Sequence, residues 1–385
     1  MLGFSFSEEQ EMLRTMVRDF ARRELAPTVK ERAKLDAVPR ELILKVGELG
    51  LLGLNLPSEY GGTEADWVSC GIVAEELAKV DSAVCALPHQ VIGCGLTLMQ
   101  GNPNIIRDWL PRLIRGEIMI AQCITEPGCG SDAAAMQCRA VKEGDKYRIR
   151  GEKTAITTFG LQVDAALVFA KTDPTQGARG ITAFLVPLDS PGIERSLLKH
   201  TGLKPFGAAS IIFDNTPVPE EYRLGEEGEG FRFMLKGLDF IRASVGLEAL
   251  GAAQAALEET ISFTRERHAF GRPIAKFEGV SFKIAEGATL IDAARLLCYR
   301  ALWLKDQGLP NVKEIAMCKW FATKVAFDVV HDALLTHGHV GYSEEFPMEQ
   351  RLRDVLGLQI TDGTTEIQKM VIARELIGDE ALPYR

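Results

Sequence analysis

The sequence predicts an α+β fold in which one β unit stands between two helical units. Helix-type spacing of apolar residues runs from Ser7 to about Glu117 and returns from about Gly230 to Ile377, whereas short β-type runs broken by Gly, Pro and Asp fill the stretch between. At 385 residues, the chain also exceeds what one hydrophobic core usually supports. We therefore predict an N-terminal α-helical domain at 1–117, a middle β-domain at 118–229 and a C-terminal α-helical bundle at 230–385.

The first helical unit contains three apolar patterns separated by Gly and Pro breakers. Met12, Leu13, Met16, Val17 and Phe20 form one helical stripe. Two further helical patterns are ELILKVGELGLLGL (41–54) and VSCGIVAEELAKV (68–80). The breakers are Pro57, Gly61-Gly62 and Asn102-Pro103.

The middle and last units change texture at about residues 118 and 230. The β-type runs are KYRIRG (146–151), AALVFAKT (165–172), GITAFLVPL (180–188) and ASIIFDN (209–215). Long helical patterns follow at 231–267 and 313–336, and a last helix is expected to start near Glu366, because Thr365 and Gln368 fit a capping box.

Composition disfavours several partners and locations. Lys and Arg number 44 against 53 Asp and Glu, a net charge of −9, which disfavours nucleic acid or an anionic membrane as the main partner. No run approaches the ~20 apolar residues of a membrane span, and the acidic N-terminal segment does not fit a transit peptide. The eight cysteines form no CxxC pair, which indicates reduced thiols. We expect a cytoplasmic protein without membrane insertion.

Two stretches are candidates for chemistry. CITEPGCGSD (123–132) is dense in Gly, Ser, Thr and Asp, so its backbone N–H groups and hydroxyls could approach a planar or phosphorylated ligand, although a plain surface turn fits equally well. QITDGTTEIQ (359–368) places Asp362 in the entry loop of a helix, where the helix N-terminus favours a carboxylate. Asp before Gly is also common in ordinary turns, so the residues alone leave both interpretations of Asp362 open.

Three segments together resemble the acyl-CoA dehydrogenase family. CITEPGCGSD, RERHAFGRPIAKFEGVSFKIAE (265–286) and ITDGTTEIQKMVIAREL (360–376) occur in the order and spacing of that family, and the similarity covers essentially the whole chain. The resemblance implies an acyl-CoA dehydrogenase-like fold, bound FAD and a homotetramer in which a neighbouring subunit helps to hold the FAD. It also implies an acyl-CoA substrate and an electron-transferring flavoprotein as electron acceptor.

The resemblance assigns cofactor and substrate roles residue by residue. Thr157 matches the hydroxyl residue near flavin N5, and Ser131 matches a serine where flavin phosphate and acyl-CoA meet. Arg267 and Phe270 match residues that reach a neighbour's FAD, for which the multi-donor guanidinium is suited. The other implied cofactor residues are Gln122, Ile124, Thr125, Thr364 and Glu366. The other implied substrate residues are Asp239, Arg242 and Gly363. Without the family resemblance, Arg242 and Arg267 would be interpreted as charged residues on solvated faces of helices.

Asp362 takes the place of the glutamate that usually serves as base in the family. The implied reaction removes the proton α to the thioester carbonyl, while the β hydrogen leaves as hydride to flavin N5. The alternative base position holds Ile241, so no second carboxylate competes. The shorter arm favours an alicyclic or α-branched acyl group, and cyclohexanecarboxyl-CoA dehydrogenases are the first subgroup to consider. Gly93 and Gly95 either widen the acyl pocket or serve close helix packing.

Several positions depart from the family pattern. Ala155 stands where an aromatic residue usually flanks the flavin, and three further positions put cofactor contacts in doubt, namely Glu278, Leu335 and His339. Three histidines near the C-terminus have no carboxylate spacing that completes a metal site, so no metal is expected. Two other functions stay open: a flavin oxidase of the same fold acting on a substrate without CoA, and a non-redox acyl-CoA-binding or lyase relative.

Overall fold

The computed structural model describes residues 5–382, so the outermost residues of the predicted first and third domains lie outside the described range. The first unit is helical. Its helices are α1 (Glu8–Phe20), α2 (Val29–Arg32), α3 (Arg40–Glu48), α4 (Trp67–Ala78), α5 (Ser82–Leu98) and α6 (Pro103–Ile114). Ser7 and Gln10 form a capping box that starts α1, and Asn102 caps α6 just before Pro103, whose missing N–H costs nothing at that position.

The helix predicted from the stripe is present as α1, but only three of the five stripe residues pack against the core. Val17 and Phe20 are buried and Leu13 packs against the core, but Met12 is 71% exposed and Met16 37% exposed. Spacing alone cannot show how wide a face the neighbouring helix covers, and α4 covers only one side of α1.

The middle unit is one twisted sheet. Its strands are β1 (Ile120–Cys123), β2 (Arg139–Glu143), β3 (Lys146–Thr157), β4 (Ala165–Lys171), β5 (Ile181–Pro187), β6 (Ile193–Leu198), β7 (Ala208–Pro219) and β8 (Arg223–Leu224). The order is β6-β7-β3-β2-β4-β5-β8, and β1 pairs in parallel with β4. Strand β4 is buried throughout and β5 over all but its last residue, as their continuous apolar runs predict.

The last unit is a bundle built on one very long helix. Its helices are α7 (Gly230–Glu266), α8 (Glu278–Asp306), α9 (Val312–His337), α10 (His339–Tyr342), α11 (Met348–Leu358) and α12 (Thr365–Ile377), with a two-stranded hairpin of β9 (His268–Ala269) and β10 (Arg272–Pro273) after α7. Helix α7 packs against α8 and α9 on one side and against α4 and α5 on the other. It therefore joins the two helical units.

Polar contacts also tie the units together. The carboxylate of Asp306, at the end of α8, accepts from the backbone N–H groups of Trp67 and Val68 at the start of α4. The Glu75 carboxylate accepts from Arg295 at 2.7 Å and from the Tyr299 hydroxyl at 2.8 Å. The predicted α+β class, with helical, β and helical units in that order, is confirmed. Within residues 5–382, no helix has the length and apolar character needed to cross a membrane.

Candidate active site

The turn between α11 and α12 has an unusual backbone. Asp362 has φ +54° and Gly363 has φ +97°, so two successive residues lie in the left-handed region, which is uncommon for a residue with a side chain. Helix α12 then begins at Thr365, and the Thr364 hydroxyl accepts from the backbone N–H of Ile367. The prediction of Thr365 as the capping residue is wrong by one position. The turn ends in an extended residue, and Thr364, not Thr365, has that backbone.

Side chains from two helices hold the carbonyl groups of this turn. Arg242 Nε donates to the carbonyl of Asp362 at 3.0 Å, and Gln368 Nε2 donates to the carbonyl of Gly363 at 3.2 Å. The backbone at Gly363, with φ +97°, favours glycine, and a Cβ there would also lie 2.5 Å from Gln368 Nε2. Gln368 is fully buried, and its Oε1 has no hydrogen-bond partner among residues 5–382. The left-handed backbone at Asp362 is therefore clamped from both sides.

The Asp362 side chain is half-buried beside two cations. Burial raises the pKa of its carboxyl above the ordinary value, whereas the charges of Lys319 and Arg242 act to lower it. Lys319 is 1% exposed, and its Nζ donates to the carbonyl of Leu358 at 2.5 Å. A carboxylate with a raised pKa, next to cations, suits a group that accepts a proton near neutral pH.

The predicted CoA-site residues lie on α7 beside this turn. Arg242 Nη1 is 3.6 Å from Asp239 Oδ1, one turn earlier on the helix. Burial lowers the pKa of Arg242 and raises the pKa of Asp239, and their mutual attraction opposes both shifts. The structure thus brings Asp239, Arg242, Asp362 and Gly363 into one place.

Gly93 and Gly95 lie on α5 where neighbouring side chains pack closely against the helix. A Cβ at Gly93 would lie 2.7 Å from Ile241 Cδ1 and 2.8 Å from Gln122 Nε2, and one at Gly95 would meet the Leu56 methyl groups at 2.8 and 2.9 Å. Both glycines are explained by close packing. These contacts do not test the alternative that the two glycines widen the acyl pocket, and it stays a prediction.

A buried ion pair shapes the CITEPGCGSD loop. Lys153 Nζ lies 2.8 Å from Glu126 Oε1 and donates to the Ile124 carbonyl at 3.0 Å. The backbone N–H of Thr154 donates to the Thr125 carbonyl at 2.9 Å, so β3 holds the first residues of the loop. Gln122, on β1 just before the loop, has a buried Nε2 without a hydrogen-bond partner in the described chain.

These residues fit an FAD. The carbonyl-rich edge of a flavin would supply the acceptor that Gln122 Nε2 lacks, since a buried donor without a partner is unfavourable. Thr157 is half-buried at the end of β3, and Ser131 is exposed in the loop. Ala155, the departure from the family pattern, is exposed and has φ +52° at the β-bulge between Lys153 and Ile156.

Arg267 and Phe270 lie far from this group. Helix α7 ends at Glu266, and the 25 residues between Arg242 and Arg267 correspond to about 37 Å at the rise of an α-helix. Phe270, in the hairpin turn after α7, is 94% exposed with φ +51°. The structure does not bring either residue near Asp362 of the same chain.

The remaining predicted positions are on the surface. Glu366 is exposed in the first turn of α12, and three departures from the family pattern are also exposed: Glu278, Leu335 and His339. His337, one of the three histidines near the C-terminus, stacks on Phe263 with ring centroids 4.3 Å apart.

A separate buried cluster joins α5 and α7. Cys85, His89 and Glu248 place potential ligand atoms within 4.8 Å of one another. His89 Nε2 is 2.6 Å from Ser244 Oγ and 3.8 Å from Cys85 Sγ, and burial lowers the pKa of His89 to about 3. Hydrogen bonding among neutral groups accounts for this cluster.

Sequence reasoning missed four buried residues that organise the site: Lys153, Glu126, Lys319 and Gln368. Lys319 interrupts an otherwise apolar run, which was the available signal for a buried charge, whereas Lys153 follows Gly151 and Glu152 and gave no such signal. Gln368 was noticed only as part of a capping pattern.

Comparisons with known proteins agree with this architecture. Models of the acyl-CoA dehydrogenase N-terminal, middle and C-terminal domains match residues 7–117, 121–216 and 228–377. An acyl-CoA dehydrogenase of Bacillus subtilis (strain 168) is 40% identical over 379 residues, covering 97% of this chain and 99% of that protein. The caffeyl-CoA reductase-Etf complex subunit CarC of Acetobacterium woodii is 37% identical over 377 residues, covering 97% and 99%. The structure of butyryl-CoA dehydrogenase from Megasphaera elsdenii superposes with a TM-score of 0.93 at 35% identity, covering 97% of this chain and 100% of that one.

Proposed function

We propose that Asp362 is the catalytic base of this chain, which belongs to the acyl-CoA dehydrogenase family and is an FAD-dependent acyl-CoA dehydrogenase. The observation that carries the proposal is the clamped left-handed turn. Arg242 and Gln368 hold the carbonyls of Asp362 and Gly363, while burial and two cations set the proton affinity of the Asp362 carboxylate.

The chain's own residues would act as follows. The Asp362 carboxylate accepts the proton from the α carbon of the thioester, and the backbone N–H of Asp362 stabilises the enolate-like oxygen that develops. Arg242, Asp239, Gly363 and Ser131 position the CoA thioester. Bound FAD, held by the CITEPGCGSD loop, Gln122 and Thr157, supplies the two-electron acceptor for the hydride that leaves the β carbon. Atoms balance because the proton remains on Asp362 while the substrate gains a C=C bond.

The finer proposal is an alicyclic or α-branched acyl group. Aspartate is one methylene shorter than glutamate, and a displacement of about 1 Å can cost ~10²-fold in rate. A substrate whose α carbon carries a ring or branch could restore the contact by packing differently against Asp362. The support is the length of this side chain, since the packing of Gly93 and Gly95 adds none.

We also propose a homotetramer and an electron-transferring flavoprotein as partner. One FAD cannot reach both Asp362 and Arg267 of the same chain across about 37 Å of helix, so Arg267 and Phe270 are better placed to contact the FAD of a neighbouring subunit. The caffeyl-CoA reductase relative is named as the subunit of a complex with such a flavoprotein, which supports that partner here. The homotetramer would place these residues of each chain beside another chain's cofactor, as the exposure of Phe270 allows.

Two substitutions of Asp362 test the proposal. Asp362→Asn keeps the size but removes the basic carboxylate, so FAD and acyl-CoA should still bind while anaerobic flavin reduction slows by ~10²-fold or more. Asp362→Glu should shift preference from cyclohexane-1-carboxyl-CoA toward butyryl-CoA, because the added methylene crowds a ring. The control is Asp328→Asn, at a partly exposed aspartate on α9 paired with Lys324, and its flavin should be reduced at the wild-type rate. Reduction of the Asp362→Asn flavin at nearly the wild-type rate would show that Asp362 is not the base.

A further inference from the structure

Lys319 is a fully buried lysine beneath the turn that carries Asp362. It lies on α9, is 1% exposed, and donates from Nζ to the carbonyl of Leu358. Leu358 is the last residue of α11, four positions before Asp362. The ammonium therefore holds the chain where it leaves one helix to form the catalytic turn.

The charged groups around Lys319 explain why a cation is present there. The groups that act on it are Asp362 in the turn and Arg242 and Glu248 on α7. Glu248 is 2% exposed, and burial raises the pKa of its carboxyl well above the ordinary value. Three nearby negative charges raise this pKa further: Asp362 in the turn, Asp354 on α11 and Asp81 before α5. Glu248 therefore favours its neutral form. Of the two carboxyl groups whose charges act on Lys319, Asp362 is then the one that attracts the ammonium.

A purely mechanical role does not require a positive charge. A neutral amide could donate to the Leu358 carbonyl equally well, and burying an ammonium is unfavourable unless opposite charge lies nearby. Burial lowers the pKa of Lys319 to about 8, while Asp362 acts to raise it. The Lys319 ammonium is therefore still largely charged at neutral pH, where it can stabilise the ionised carboxylate of Asp362.

We propose that Lys319 is a positioning residue for the base: its hydrogen bond to Leu358 fixes the start of the turn, and its charge keeps the Asp362 carboxylate ionised and ready to accept the α proton. Nothing in the comparisons assigns this role. The inference rests on the proposed function, since it requires Asp362 to be the base.

The test measures the pH dependence of single-turnover flavin reduction in FAD-loaded enzyme, with butyryl-CoA as the probe substrate. Lys319→Met removes both charge and donor, Lys319→Gln keeps a donor without the charge, and Lys319→Arg keeps the charge. Lys324→Met, an exposed lysine on the same helix that pairs with Asp328, is the matched control.

We expect the acid limb of the profile to move to higher pH by about one unit in both neutral variants, the lower end of the effect of a nearby opposite charge on a carboxyl. Lys319→Arg and Lys324→Met should keep the wild-type limb. Lys319→Met should also lose about tenfold in the limiting rate, and Lys319→Gln less, because Gln retains the contact with Leu358.

The outcomes separate three cases. If the acid limb of the pH profile does not move in Lys319→Gln, whatever the rate of that variant, the proposal is overturned and Lys319 is only a structural anchor. Lys319→Gln gives this answer even if Lys319→Met fails to fold. A slow Asp362→Asn variant together with an unmoved limb would reject only the role of Lys319. Fast reduction by Asp362→Asn would reject the proposed base itself.

Discussion

The buried pair of Lys153 and Glu126 makes a sharp prediction about the flavin loop. Lys153 is fully buried and Glu126 is 7% exposed. Besides the ion pair, the Glu126 carboxylate accepts from the backbone N–H groups of Gln137 at 2.6 Å and Cys138 at 2.9 Å. Lys153→Met would leave this carboxylate buried without its cation, next to the loop that is expected to hold the FAD.

The size of the effect follows from burial. Removing one partner of a buried ion pair typically costs about 3–5 kcal/mol, and the two remaining N–H donors favour the lower end, about 3 kcal/mol. The pair of Lys142 and Glu220 in the same sheet is a natural control, because its 2.6 Å contact is exposed, at 47% and 42%. Lys142→Met should therefore cost at most about 1 kcal/mol.

Two measurements check this prediction. At roughly 1–2 °C per kcal/mol for a chain of this size, Lys153→Met should lower the unfolding temperature by about 3–6 °C and should release FAD more readily on gel filtration. Lys142→Met should change neither by much. The double variant Lys153→Met with Glu126→Gln should recover part of the loss, because the uncompensated charge is gone. Equal losses for Lys153→Met and Lys142→Met would refute the reasoning from burial.

Two further predictions concern the cofactor and the acceptor. Arg267→Ala should weaken FAD retention by about 1.5–3 kcal/mol through loss of a charge-assisted contact, measured as FAD per subunit after gel filtration; unchanged retention would refute the assignment of Arg267. Reduced enzyme should be reoxidised slowly by air and quickly by an electron-transferring flavoprotein in stopped flow, although the small Ala155 stands where the family usually has an aromatic residue beside the flavin; equal rates would favour the oxidase alternative.

The order of elements could be predicted because it depends on local patterns. Strands β4 and β5 are mostly apolar, and α7 and α9 carry long helical periodicity, so their types follow from sequence alone. Strand β6 was missed because its four central residues are exposed and its apolar residues do not alternate. Strand β1 is only four residues long and is defined by its pairing with β4, which sequence spacing does not reveal.

The site could be predicted only where its chemistry lies within one segment. Asp362 stands out because Asp, Gly and Thr precede a helix, but Lys319 acts on it across 43 positions of sequence and Arg242 across 120. Such contacts depend on how α7, α9 and the turn pack together. A buried lysine in an amphipathic helix is an identifiable signal, yet its partner becomes known only when the helices are placed.

Helix α7 connects these observations into one constraint on function. Its N-terminal half carries Asp239 and Arg242 beside the base, and its C-terminal end presents Arg267 about 37 Å away. If both ends contact FAD, one rigid helix must serve the cofactor sites of two different chains. Separating the subunits would then remove Arg267 from the FAD of its neighbour while leaving Asp362 and its clamp intact. Dissociation should therefore weaken FAD binding before it alters the geometry of the base, because the two depend on opposite ends of the same helix.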